Sequence, residues 1–151
     1  SKVVIASYGD VKRSLAISLP VEIQQLNANA KLVLPGIIAL DAALTNTKAL
    51  QEKLKGQGAN LLNKLGVVMF ILTENPSWMA EEINNFLWAC FTRTNPSHDM
   101  EGVDSFIYQK HWGANGPLIF DATIKKHHAP PVEKNAAIEK RVDEVLAKCG
   151  Y

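Results

Sequence analysis

Few side chains in this sequence combine the types and spacings that chemistry requires. His127-His128 is an adjacent pair beside Lys125 and Lys126. Neighbouring residues of an extended chain point to opposite faces, so the two rings share a single metal ion poorly. With the lysines they read as a solvated basic loop, or as a contact for an anionic ligand or partner. Asp99, Glu101 and Asp104 bring carboxylates to another loop. Such oxygens suit a divalent cation, and they equally suit hydrogen bonding within the loop. His98 and His111 stand at element ends, where general bases are found, but spacing supplies neither with a carboxylate partner. Arg93 closes a helical segment and reads as a structural ion pair, or as a contact for a phosphate or a partner's carboxylate. Phe106 and Tyr108 share one face of an expected strand, with Trp112 close behind. They are core and rim packing, or the wall of a cavity for a flat ligand. No catalytic residue and no metal ligand is assigned.

Several signatures are missing from the sequence. Gly56 and Gly58 lie between helical segments rather than between a strand and a helix, so they fit no dinucleotide-binding turn, and no phosphate loop is present. No Gly-x-Ser-x-Gly elbow occurs. Cys90 and Cys149 fall in expected helices and read as reduced thiols.

The elements that must position these residues follow from periodicity and turn chemistry. A β-branched strand is expected over 3–7, then a short helix capped by Asp10, running through Leu15 and Ile17 and stopped by Pro20. Residues 21–30 fit helix or strand. Residues 31–34 are extended and broken at Pro35-Gly36, and 37–44 form a buried helical turn or two. Caps at 45–47 open a helix through Leu50 and Leu54 that Gly56 closes. Residues 58–65 are a short helix or loop. The continuous apolar run 67–72 is a strand covered on both faces. Ser77 caps the next helix, with Glu81 and Glu82 near its positive end and an apolar stripe of Met79, Ile83, Phe86, Leu87 and Cys90. Thr94-Asn95-Pro96 ends it. Strands over 103–109 and 118–120 flank a glycine-bearing connection at 111–117. A long helix over 132–148 closes the chain, with Ile138, Val142, Val145, Leu146 and Cys149 on one face and charges on the other. The result is α/β: a single three-layer domain over 1–151 with a mixed, mostly parallel sheet and a long C-terminal helix.

Composition agrees with that reading. The 151 residues are 47% hydrophobic and 21% charged with a net charge of +1, and the lysines are dispersed, so no nucleic-acid surface is expected. No apolar run approaches the ~20 residues that span a bilayer, and the first residues lack the apolar core of a signal peptide. No membrane role and a cytoplasmic location are the expectations.

From residue 67 onward, ordered blocks resemble the carboxy-terminal domain of the UbiD-type decarboxylases. They are the buried strand, Trp88-Ala89, Thr92-Arg93, Pro96, Asp99, the aromatic strand ending at Tyr108, Asp121-Ala122-Thr123, and a last helix ending in Gly150-Tyr151. The best match covers 67–151. The acidic run that usually follows the central strand in that family is here Leu72-Thr73-Glu74-Asn75-Pro76. The resemblance implies the family's chemistry, reversible decarboxylation of aromatic and acrylic acids with prenylated flavin mononucleotide (prenylated FMN). It also implies that the catalytic set, the metal ions and the flavin phosphate ligands belong to a separate domain that this sequence lacks. The expectation is therefore a small, non-catalytic subunit that binds no cofactor alone. It docks on a larger UbiD-like catalytic subunit, which holds prenylated FMN, and caps its active site. Phe106 and Tyr108 are then substrate-pocket candidates, and Arg93 and Trp112 are contact candidates. The alternatives are a structural or oligomerisation module making homo-oligomer contacts through the last helix, an enzyme acting alone around His98, Asp99 and His111, and a fragment of a longer protein.

Overall fold

The computed structural model describes residues 8–11, 13–128 and 135–150. The strand expected over 3–7 and the first residues of the closing helix lie outside them. The elements in chain order are α1 (Val21–Leu26), β1 (Lys31–Leu34), β2 (Ile37–Asp41), α2 (Thr47–Leu54), α3 (Gly58–Asn63) and β3 (Met69–Thr73). They are followed by α4 (Pro76–Glu81), α5 (Ile83–Arg93), β4 (Met100–Gly102), β5 (Ser105–Tyr108), β6 (His111–Ala114), β7 (Leu118–Asp121) and α6 (Ala136–Lys148).

Five strands form one sheet in the order β1-β2-β3-β7-β4, while β5 and β6 pair only with each other. β2, β3 and β7 are parallel neighbours, and β1 and β4 add antiparallel edges. This is the α/β class with a mixed sheet that the alternation of patterns implies. Parallel strands covered on both faces carry unbroken apolar runs. Ile38, Leu40, Phe70, Leu72 and Ile119 point to one face, where they pack with Ile23, Leu50, Leu54 and Leu61 of α1, α2 and α3. Ala39 and Ile71 point to the other, against Met79 of α4 and Phe86 and Ala89 of α5. Among the described residues, no helix is long and apolar enough to cross a membrane.

Several expectations are corrected. Residues 37–41 are a strand, not a helical turn, because a short apolar run satisfies either period and the parallel ladder to β3 decides it. The helix through Leu15 and Ile17 does not form. Ala16 instead donates its N–H to Gly66 O and accepts from Gly36 N–H, so the main chain is spent on tertiary bonds. Asn75, not Ser77, caps α4, accepting from Trp78 N–H at 3.0 Å with Pro76 in the first turn. Glu82 is extended (φ −144°, ψ 145°) and splits the expected single helix into α4 and α5. That break resets the helical phase: Phe86 and Ala89 turn inward while Ile83 and Leu87 face solvent. Glu81 is the last residue of α4, away from its positive end, and Glu82 stands at the N-cap position of α5 without a side-chain cap bond. The connection at 111–117 contains strand β6. The apolar stripe of α6 lies exposed, since no residue of that helix is buried.

Candidate functional site

The parallel strands β2, β3 and β7 deliver Asp41, Thr73 and Asp121 to one end of the sheet. In open α/β sheets, crevices for ligands form outside the carboxyl ends of the strands. Here a cleft of about 420 Å³ is lined by Thr73, Glu74, Asn75, Trp78, Trp88, Arg93 and Ile124. A second hollow of about 230 Å³ shares Glu74 and Asn75 and continues to Asn29, Lys31 and Asp41. The residues that build both are those of the turn after β3.

Glu74 joins two elements across the cleft. One carboxylate oxygen accepts from the Ile124 N–H at 2.6 Å and the other accepts from the Arg93 guanidinium at 3.3 Å. Arg93 also sits over the Trp88 ring, 5.1 Å from its centroid, and Trp88 meets Trp78 edge-on with centroids 6.0 Å apart. Stacking of this kind contributes about 0.5–1 kcal/mol at an exposed site and fixes the guanidinium plane. The arginine side chain is 14% exposed against 45% for the glutamate, so the carboxylate is the wetter end of the pair.

Behind Arg93 lies a second charged group. The Lys125 ammonium donates to Arg93 O at 3.0 Å and to Asp121 O at 2.5 Å. Carboxylate oxygens of Asp99 and Asp121 each stand 3.4 Å away. Asp99 in turn accepts from the Asn95 N–H at 2.7 Å. Burial opposes the charge on Asp121, yet bonds from the Thr123 hydroxyl and N–H, together with Lys125, outweigh it and hold its carboxyl below the usual aspartate value. His128 accepts from the Lys125 N–H at 3.1 Å. Partial desolvation first, and then electrostatic repulsion from His127, Lys125 and Arg93, keep it below the ordinary histidine value. Burial pushes the Cys90 thiol up to about 11, which leaves it a poor nucleophile at neutral pH.

The carboxylates of the expected acidic loop are dispersed to separate tasks. Asp99 belongs to the lysine cluster, and Glu101 accepts from the Gln51 amide at 3.3 Å. Asp104 accepts from Gly56 N–H at 2.7 Å and Gly58 N–H at 2.9 Å, clamping the α2–α3 connection to the turn before β5. The approach is close enough that a Cβ on Gly58 would stand 2.8 Å from Gly116 Cα. Among the described residues, no group of three or more His, Cys, Asp or Glu side chains is placed to hold a metal ion. His98 bonds the neighbouring Ser97 hydroxyl at 2.7 Å, and His111 lies in β6 at the hairpin tip.

The remaining candidates lie elsewhere. β4 runs antiparallel to β7 and places Gly102 opposite Leu118, the first residue of β7. The β5–β6 hairpin therefore leaves the sheet at the end opposite the cleft, away from Arg93. Phe106 and Tyr108 share a face, with the Phe106 ring laid over Gly113, where a Cβ would stand 2.7 Å from it. Trp112 pairs with Ile107 and turns to the other face, its ring against Gly102. One aromatic wall made of all three residues is thus ruled out by register. Sequence reasoning missed the roles of Glu74 and Trp78 and the carboxylate partners of Lys125. The only hint was the polar turn Glu74-Asn75 after a buried strand.

No protein-family model matches the chain. By sequence it is 28% identical over 76 residues to one of the subunits of 4-hydroxybenzoate decarboxylase from Chlamydia pneumoniae, a match that takes 50% of this chain and 13% of that protein. Among solved structures it is similar to an evolved dimeric form of the UbiD-class enzyme HmfF from Pelotomaculum thermopropionicum, in complex with prFMN. That likeness has 15% identity and a TM-score of 0.45, covering 78% of this chain and 26% of that one. Vanillic acid decarboxylase of Sedimentibacter hydroxybenzoicus, in closed form, gives 12% identity and a TM-score of 0.43 over 83% of this chain and 30% of that one. The chain thus spans less than a third of each of these proteins. Both TM-scores are low, and neither superposition bears on function. The sequence match bears out the resemblance to the UbiD-type decarboxylases.

Proposed function

We propose that the chain is a small subunit of a UbiD-like carboxylase or decarboxylase complex, docking on a larger catalytic subunit and capping its active site. The sequence match to part of a decarboxylase is what carries this reading. The geometry supports a docking role through the β5–β6 hairpin, where Ile107 is 78% and Tyr108 65% exposed. Each large apolar side chain that a partner covered would contribute roughly 1.5–3 kcal/mol. Phe106 and Tyr108 are the residues that would face a substrate, and Trp112 would anchor the hairpin from its other side. A cap of this kind excludes water and strengthens the electrostatics of the site it closes.

Prenylated FMN carries a phosphate, and the cation that lines the larger cleft, Arg93, is already matched by Glu74. In this reading the larger subunit holds the flavin, and this chain contributes contact surface and the exclusion of water.

The test is co-expression of the tagged chain with the UbiD-like large subunit of the same genome. The expected result is a complex on size-exclusion chromatography that carries flavin absorbance, with decarboxylation of an aromatic acid depending on this chain. Separate elution, with turnover by the large subunit unchanged when the chain is added, overturns the proposal. A second reading, an oligomerisation module, is favoured by α6, where Ile138, Val142, Val145 and Leu146 are all exposed along one face. Light scattering discriminates: a stable homo-oligomer that hides Phe106, Tyr108 and Trp112 supports the second reading, and a monomer that gains mass only with the large subunit supports the first.

A further inference from the structure

The surroundings of Lys125 have the composition of an ion site. Two main-chain carbonyls, Arg93 O and Asp121 O, and two carboxylates, Asp99 and Asp121, converge on one ammonium at 2.5–3.4 Å. Arg93 is the last residue of α5, so its carbonyl is one of the helix-end acceptors that lack an intrahelical donor. Asp121 is the last residue of β7 and lies one residue beyond Phe120, where the antiparallel register with β4 ends. Both carbonyls need a cation or donor from outside their own element, and both carboxylates need a counter-charge. Carbonyl and carboxylate oxygens are the donors that hard cations take. Three of the four distances, 3.0–3.4 Å, are longer than the 2.3–2.6 Å that calcium takes, and four oxygens fall short of its usual six to eight ligands. A large monovalent ion fits better, and the ammonium group is close to potassium in size.

We propose that the Lys125 ammonium occupies an internal monovalent-cation site formed by Arg93 O, Asp121 O and the Asp99 and Asp121 carboxylates, and that potassium or ammonium ion fills this site when the side chain is cut back. Lys125 is then a positioning residue. By tying the end of α5 to the end of β7, it fixes the helix turn that holds Arg93 over Trp88 and against Glu74. Nothing in this inference depends on the partner proposed above.

The test compares the full chain with its Lys125→Ala variant by thermal unfolding. The chlorides of potassium, ammonium and tetramethylammonium are used at matched strength, about 0.15 M, where the Debye length is ~8 Å and general screening is equal. The wild type should unfold at one temperature in all three. Lys125→Ala should unfold roughly 5–10 °C lower in tetramethylammonium. It should recover at least half of that loss in potassium or ammonium. Lys125→Met fills the volume without charge and should not respond to the choice of ion. Equal depression of Lys125→Ala in all three salts overturns the proposal, as does equal recovery of Lys125→Met. Should the alanine variant not fold, acylation of wild-type lysines followed by mass spectrometry decides. Lys125 should react about tenfold more slowly than exposed Lys126 because it must first leave its oxygens. Equal rates at the two lysines overturn the assignment.

Discussion

At the carboxyl ends of β3 and β7, Glu74, Arg93, Asp99, Asp121 and Lys125 answer one another across the turn after β3, the end of α5, the loop before β4 and the end of β7. At the opposite end of the sheet the hairpin leaves Ile107 and Tyr108 in solvent, and its turn residues Gln109 and Lys110 both adopt positive φ, 46° and 69°. A two-residue turn of that shape favours asparagine and glycine, and a lone two-stranded hairpin is marginal in water. One region pairs its charged groups internally. The other keeps apolar surface and a costly turn that its own fold does not reward. The difference teaches where to look for a partner: at the end that is unfinished, not at the end that is charged.

Substitutions can break or sharpen that contrast. The largest effect is expected in the layer that supports both ends. Phe70→Ala should cost about 3–5 kcal/mol, read by denaturant unfolding, because Phe70 is wholly buried in the central strand. Next is the clamp that seats the hairpin. Asp104→Ala should cost about 2 kcal/mol by stranding the buried Gly58 N–H and losing the bond to Gly56 N–H, whereas Asp104→Asn, which tolerates the φ of 52°, should cost about half as much. A loss confined to the hairpin's near-ultraviolet signal, with the global midpoint unmoved, would show that the two ends are uncoupled.

A smaller effect concerns acid. The folded-state pKa of Asp121 is depressed, so its contribution is present above the unfolded value of about 3.9 and is lost as pH falls through the folded value. Asp121→Asn should therefore narrow the gap between unfolding midpoints measured at neutral and at strongly acidic pH. An unchanged gap would mean that the cluster does not set the acid limb. The smallest effect is at the hairpin surface. Ile107→Ser should shift the stability of the isolated chain by less than about 0.5 kcal/mol, while weakening the proposed complex with a large subunit. A large loss in the isolated chain would turn this surface from a docking face into part of the core.

The legible part of the fold was where one residue pattern admits one structure. The run at 67–72 could be little but a buried strand, and Asn46 before Leu50 and Leu54 marked α2, whose cap accepts from Ala49 N–H at 3.0 Å. The run Ile37-Ile38-Ala39-Leu40 carries no such mark, since helix and parallel strand bury the same side chains and only the neighbouring strand decides. The β5–β6 hairpin was hidden because Gln109-Lys110 lacks turn chemistry. At the candidate site, Arg93 stood out as a lone cation at a helix end. Its partner Glu74 lies 19 residues earlier, and Lys125 meets Arg93 from 32 residues later. Contacts at that separation leave no periodic trace in the sequence.

One feature of the opposite end bears on how mutations should distribute. Residues 14–16 cross the starts of β2 and β3 through main-chain atoms, with Ala16 bonded to Gly36 and Gly66. Both glycines have positive φ, and a Cβ on Gly66 would stand 2.5 Å from Ser14 O. In a saturation library, therefore, Ser14 and Ala16 should accept many replacements, because their side chains do little of the bonding. Gly36 and Gly66 should accept almost none. Tolerance would be lowest not in the crossing segment but at the two positions it passes over.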